Sequence, residues 1–113
     1  MDERARRIAD NESRFRAINE RLRGDLRALP ETEDAVEFVC ECGSAACAEP
    51  VPLTVSEYEA VRSSPLDFAV VPGHQLPDVE DVVDVNERYA RVRKHPEAAP
   101  VVRSTDPRRP GDS

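Results

Sequence analysis

An α+β fold around one small core is what this chain predicts, and three observations lead there. Residues 3–28 hold no proline and one glycine, and are rich in Arg, Glu, Ala and Leu, the residues that lose least on entering a helix. From Ala35 the apolar pattern changes to short β-branched and aromatic runs bounded by Pro and Gly. The 113 residues include three Phe, two Tyr and no Trp, so one domain with a thin core is all the chain can build.

The first element is a long amphipathic helix over residues 1–29. Ile8, Phe15, Ile18, Leu22 and Leu29 recur at spacings of seven, three, four and seven, which draws one apolar stripe. In heptad terms Asn11 and Asp25 interrupt that stripe at its alternate position, and a buried Asn can fix register in a helix pair. The stripe suits packing on the chain's own body, or pairing with a second copy or a partner helix. Pro30 stops the helix, and Glu31-Thr32-Glu33-Asp34 follows as an acidic connector.

Val36 to Cys40 reads as a strand, Gly43 to Ala46 as a turn of small residues, and Pro50 to Leu53 as an extended return whose prolines confine it to an edge. Thr54-Val55-Ser56-Glu57 fits a capping box and opens a helix that turns Tyr58 and Val61 inward and ends before Pro65. Asp67 to Val71 is a second strand, closed by Pro72-Gly73-His74. Residues 78–85 admit a short helix capped by Asp78, with Val79, Val82 and Val83 on one side. Arg88 to Lys94 alternates Tyr89, Arg91 and Arg93 against Ala90, Val92 and Lys94, as a half-buried strand does. From His95 on, Pro96, Pro100, Pro107 and Pro110 predict a disordered tail. The chain thus divides into the helix (1–29), a small α+β body (30–94) and the tail (95–113). Phe15, Phe38, Tyr58, Phe68 and Tyr89 are the expected aromatic core.

The chemistry lies in the cysteines. Cys40, Cys42 and Cys47 fall within eight residues. Cys40 and Cys42, two apart on a strand, share a face. Gly43 lets the backbone turn, at positive φ if required, and Cys47 can return to the same point. Three converging thiolates suit a soft tetrahedral ion such as zinc. A closed site needs a fourth ligand, and the histidines are His74 and His95. His74, held in a Pro-Gly turn, is favoured over His95, which borders the tail. A body of 65 residues with few aromatics also calls for a staple, and a metal is a usual one. Two other readings of the thiols stand beside this: a buried core cysteine with two incidental neighbours, or a Cys42–Cys47 redox pair.

Phe38-Val39-Cys40-Glu41-Cys42-Gly43, then Cys47, Leu53-Thr54, Glu57-Tyr58-Glu59, Arg62, Phe68 and Pro72-Gly73-His74, preceded by Asn11-Glu12 and Asn19-Glu20, resembles a group of small actinobacterial proteins that pair an Asn-Glu-bearing helix with a Cys-rich hairpin. The resemblance spans roughly residues 8–94. It implies that the three cysteines and His74 act as one constellation, and it implies no activity.

Net charge narrows the function. The total is −7, and it is uneven: residues 1–29 carry eight Arg against six acids, the rest eight bases against seventeen. An acidic body disfavours binding to nucleic-acid phosphates. The longest apolar run, Phe68 to Val71, is too short to span a bilayer, and the first residues lack a signal peptide's apolar stretch, so a cytoplasmic protein is expected. Zincin, deaminase, phosphate-loop and nucleophile-elbow motifs are absent from the sequence. The expectation is therefore a zinc-stabilised interaction module, regulatory or adaptor in kind and without catalysis of its own, meeting a protein partner or itself through the first helix. A thiol-based metal or redox sensor is the alternative, with a DNA-binding regulator or a small metalloenzyme further off.

Overall fold

The computed structural model of the protein describes residues 2–30, 32–47 and 49–108. Helix α1 (Glu3–Leu26) begins where the Asp2 carboxylate accepts the Ala5 N–H at 2.7 Å, satisfying one of the free first-turn donors. Strands β1 (Val36–Val39) and β2 (Pro50–Leu53) form an antiparallel pair in the register Val36↔Leu53 to Val39↔Pro50. A two-stranded sheet has only edges, and this is what admits Pro50 and Pro52. Helix α2 (Val55–Val61) follows, then β3 (Asp67–Val70), β4 (Glu80–Val85) and β5 (Ala90–Lys94), which make an antiparallel sheet in the order β3-β5-β4. A 3₁₀ turn (Pro96–Ala98) leads into α3 (Ala99–Ser104), which packs on α1. The fold is α+β, as the sequence predicts. None of the described helices is long and apolar enough to cross a membrane.

The capping box is present in full. Glu57 N–H donates to the Thr54 hydroxyl at 3.1 Å, and Thr54 N–H donates to the Glu57 carboxylate at 2.8 Å. The Arg88 guanidinium grips the same carboxylate with two bonds, at 2.6 and 2.7 Å, and with Thr54 holds its pKa down to about 2. Thr54→Ala is expected to cost about 1 kcal/mol, read as a lowered midpoint in urea with an unchanged slope.

Helix α1 docks on a face that overlaps only one edge of its apolar stripe. Ile8, Ala9, Glu12, Ser13, Arg16 and Asn19 are buried. Phe15 and Leu22 are half-buried, while Ile18 is 46% and Leu29 60% exposed. The physical reason is that the body offers the helix unpaired backbone groups. Asn19 pairs with the edge of β1 as a neighbouring strand would: its Nδ2 donates to Val39 O and its Oδ1 accepts from Val39 N, both at 2.8 Å. Arg16 donates to Pro65 O at 2.6 Å and to Val102 O at 2.7 Å, and its guanidinium lies 4.6 Å from the centre of the Phe68 ring. Lys94 Nζ reaches Glu12 at 2.8 Å. A buried carbonyl without a donor costs about as much as a lost hydrogen bond, so these polar side chains claim the interface.

Four further expectations are adjusted. Residues 80–85 are a strand and not a helix. The two ends of β4 pair with β5 as Glu80↔Lys94 and Val85↔Ala90, with a register irregularity between Val82 and Asp84, and β-branched Val82, Val83 and Val85 suit that geometry. Order continues past His95: Pro96 and Pro100 sit in the first turn of the 3₁₀ turn and of α3, where a proline costs no hydrogen bond. Val102 is fully buried there and Asp106 pairs with the buried Arg62. The end of the expected tail, residues 109–113, lies outside the described residues. The aromatics divide between two clusters: Phe38 stacks on Tyr58 (ring centres 4.4 Å apart, planes 7° apart) with Tyr89 nearby, and Phe68 belongs to the second cluster with Cys40 and Cys42. Phe15 is only half-buried.

Candidate metal centre

Two features of the backbone bring the thiols to one point. The β1–β2 pairing extends one step, with Cys40 N–H donating to Glu49 O at 3.0 Å, so Cys40 leaves the hairpin in strand geometry. Beyond it, Glu41 crosses to the second sheet: its N–H donates to Ala69 O at 2.8 Å, and its carboxylate accepts the Ala69 N–H at 2.9 Å and the Asn19 amide at 2.8 Å. Glu41 therefore completes the open edge of β3 while turning Cys40 and Cys42 to its opposite side. Burial raises the Glu41 carboxyl to about 7, against the lowering effect of the Asn19 and Ala69 donors.

The fourth member arrives on a separate loop. His74 N–H donates to Val71 O at 2.9 Å and closes a turn with Pro72 and Gly73 at its centre. Gly73 has φ 96°, a backbone state open to glycine and strained for most other residues, in the position a type II turn demands. Gly43, where the sequence allows positive φ, does not adopt it. Its constraint is steric: a Cβ there would stand 2.6 Å from Ile8 Cγ2 and 3.0 Å from Leu76 Cδ1. Asn11 Nδ2 also donates to Gly43 O at 2.9 Å, so α1 presses directly on the turn between Cys42 and Cys47. Gly43→Ala is expected to cost about 1–3 kcal/mol through this overpacking, and Ile8→Ala in the same chain is expected to recover part of it. Thermal melts of the two single variants and the double variant measure the coupling.

Cys40, Cys42, Cys47 and His74 come together so that their four ligand atoms lie within 4.8 Å of one another. His74 Nδ1 is 3.6 Å from Cys40 Sγ and 3.7 Å from Cys47 Sγ. A tetrahedral zinc, with Zn–S near 2.3 Å and Zn–N near 2.0–2.1 Å, has S···N edges of about 3.6 Å and S···S edges of about 3.8 Å, so the two S···N separations match such a shell and the group could hold a metal. Val71 N–H donates to Cys40 Sγ at 3.2 Å, and a second backbone N–H, from Ser44, faces Cys42. Burial pushes both thiols up from the ordinary cysteine range, and these N–H donors oppose it. Bare Cys40 and Cys42 thiols are held toward the protonated form; a cation is what would turn them into thiolates.

The support around the group is equally specific. His74 Nε2 lies 2.8 Å from the Glu49 carboxylate, so the ring's outer nitrogen is engaged and its Nδ1 is left facing the thiols. This carboxylate–histidine arrangement is the usual second shell of a metal-ligating imidazole. Glu49 escapes a reading of the sequence because its spacing does not separate it from the other acids; its place opposite Cys40 depends on how the turn between them closes. Ala9, Phe68, Val70, Ala90, Val92 and Val102 enclose the inner side, where Cys40 and Cys42 are buried. Cys47 is half-buried, and His74 keeps 32% of its side chain exposed. His95 stands apart, its Nε2 3.3 Å from Asp81.

The chain matches no family model, and no curated protein or solved structure is detectably similar to it.

Proposed function

We propose that this protein is a zinc-stapled interaction module: a small body whose fold is completed by one structural zinc held by Cys40, Cys42, Cys47 and His74, and which meets a protein partner through α1. The observation that carries the reading is the match of the sulfur–nitrogen separations, 3.6 and 3.7 Å, to a tetrahedral zinc shell. Four protein ligands close the shell, which fits a structural role better than catalysis. Three thiolates also place much negative charge on the ion and weaken it as a Lewis acid. The apolar surface available to a partner is Ile18 on α1 and Leu29 just beyond its end, which the chain's own packing leaves exposed. Elemental analysis together with native mass spectrometry of protein purified without added metal tests the reading. One zinc per chain supports it, and stably folded metal-free protein overturns it.

A second reading, a thiol-based sensor, draws on the exposure of the Cys47 and His74 side of the group. Oxidation there would release the ion. Zinc release at mild peroxide concentrations, reversed by a reductant, favours the sensor; retention favours the structural staple.

A further inference from the structure

The metal group is walled on one side by a cavity of about 460 Å³, lying between the first turns of α1 and the loops that carry Cys42 and His74. Its floor is apolar, from Ile8 and Leu76. Its rim carries Arg4, Arg7, Ser44 and Gln75. In a chain with 23 acidic residues and net charge −7, no Asp or Glu is among the described residues lining it, and two arginines are. Arg4 and Arg7 are three apart on the helix, so they neighbour each other, an arrangement that costs a few tenths of a kcal/mol unless an anion answers it. Arg4 is partly answered by Asp78 from outside the lining. The Arg7 guanidinium and the Ser44 hydroxyl make no hydrogen bond or ion pair among the described residues, and Gln75 uses its Oε1 on Gly73 N–H at 2.9 Å, leaving its amide NH₂ to donate.

We infer that this cavity binds a small dianionic ligand, a phosphoryl or dicarboxylate group, between Arg7, Arg4 and the Ser44 loop. The unpaired Arg7 guanidinium and the neutral donors, with Arg4 shared with Asp78 and no carboxylate in the lining itself, select an anion, and the volume lies within the range of small-ligand sites. The apolar floor takes the carbon part of the ligand. The inference rests on the metal group being formed, since Cys42 and His74 build one wall, but it assigns the wall's outer side a separate task. The anion site can therefore fail while the zinc staple stands.

The test is an amide NMR titration of full-length protein of measured metal content, with inorganic phosphate and with succinate, at low ionic strength. Saturable shifts at Gly43, Ser44, Gly73 and Gln75 are expected with at least one probe, and the probe that works names the ligand class. Arg7→Gln, at an exposed position outside the core, is expected to weaken binding roughly tenfold, the loss of one charge-assisted hydrogen bond. Arg14→Gln, elsewhere on α1, is expected to leave it unchanged. No shifts with either probe in protein that carries its metal overturns the anion site alone. Equal weakening by the two variants, which marks a general charge effect, also overturns it. Folded protein without metal overturns the staple instead.

Discussion

Protein stripped by a strong chelator is expected to lose its cooperative thermal transition and to regain it when zinc is returned. The ion's apparent binding free energy in such sites is on the order of 10 kcal/mol, as large as the whole stability of a typical domain. The sites of damage follow from the structure. Without the ion, Cys40 and Cys42 are ordinary buried thiols, and Cys47 and His74 lose what draws their two loops together. The Cys40–Gly43 segment would slacken, and it carries Glu41, which bridges the two sheets, and the carbonyl that Asn11 holds. Cys40→Ser and Cys42→Ser are expected to behave like stripped protein. Replacement of His95, which stands apart from the group, by Ala is expected to leave metal content unchanged. Circular dichroism melts with and without chelator, alongside metal content, read all of these outcomes.

Lys94→Met is the second change expected to have a large effect, a loss of about 3–5 kcal/mol. Lys94 is 1% exposed and lies 2.8 Å from Glu12 and 3.4 Å from Glu80, both of which are fully enclosed at the side chain. The Glu80 carboxylate also accepts the Leu76 N–H at 3.1 Å and shares a hydrogen bond with the Glu12 carboxyl. Removing the ammonium leaves two carboxyls facing each other in a dry site. Burial first, and then Glu80, already holds the Glu12 carboxyl well above its ordinary value of 4.5. A carboxyl raised in this way keeps its proton in the folded protein at a pH where the unfolded chain has released it. Its contribution therefore falls as pH rises from the ordinary carboxyl range through the raised value. The Lys94→Met deficit is expected to be larger at about pH 8 than at about pH 6, and Glu12→Gln in the same chain to remove most of that difference. Urea denaturation of the two variants at both pH values measures it. Glu12→Gln alone is expected to be close to neutral, since an amide in that place keeps the shape without the charge.

Much of the secondary structure was legible because it depends on neighbours in sequence. Thr54 and Glu57 declare the start of α2 through their own hydrogen bonds, and Pro-Gly before His74 declares a turn. The constellation of Cys40, Cys42, Cys47 and His74 was also legible, since thiols in such a cluster have few other uses and one histidine sat in a rigid turn. What the sequence hid depends on partners distant in the chain. The apolar stripe of α1 marked only one edge of the face that docks, because a side chain such as Asn19 or Arg16 reveals its value only when Val39, Pro65 and Val102 are known to need partners. Pro100 looked like a breaker until Val102, two residues on, proved to have a place in the core. Glu49 and Arg7 are ordinary charges in sequence, and only the hairpin register and the loop of His74 single them out.

The reach of Arg16 bears on how the protein is made. Its guanidinium donates to the carbonyl of Val102, and Ser13 on the same helix accepts a hydrogen bond from Thr105 at 2.8 Å. Helix α1 leaves the ribosome well before these partners, which lie 86 and 92 residues further along the chain. Contacts of such separation are slow to form, and until they form Arg16 stays hydrated and its side of the helix undocked. Folding on the ribosome should therefore stall with α1 waiting, and the native state should snap into place only once α3 has emerged.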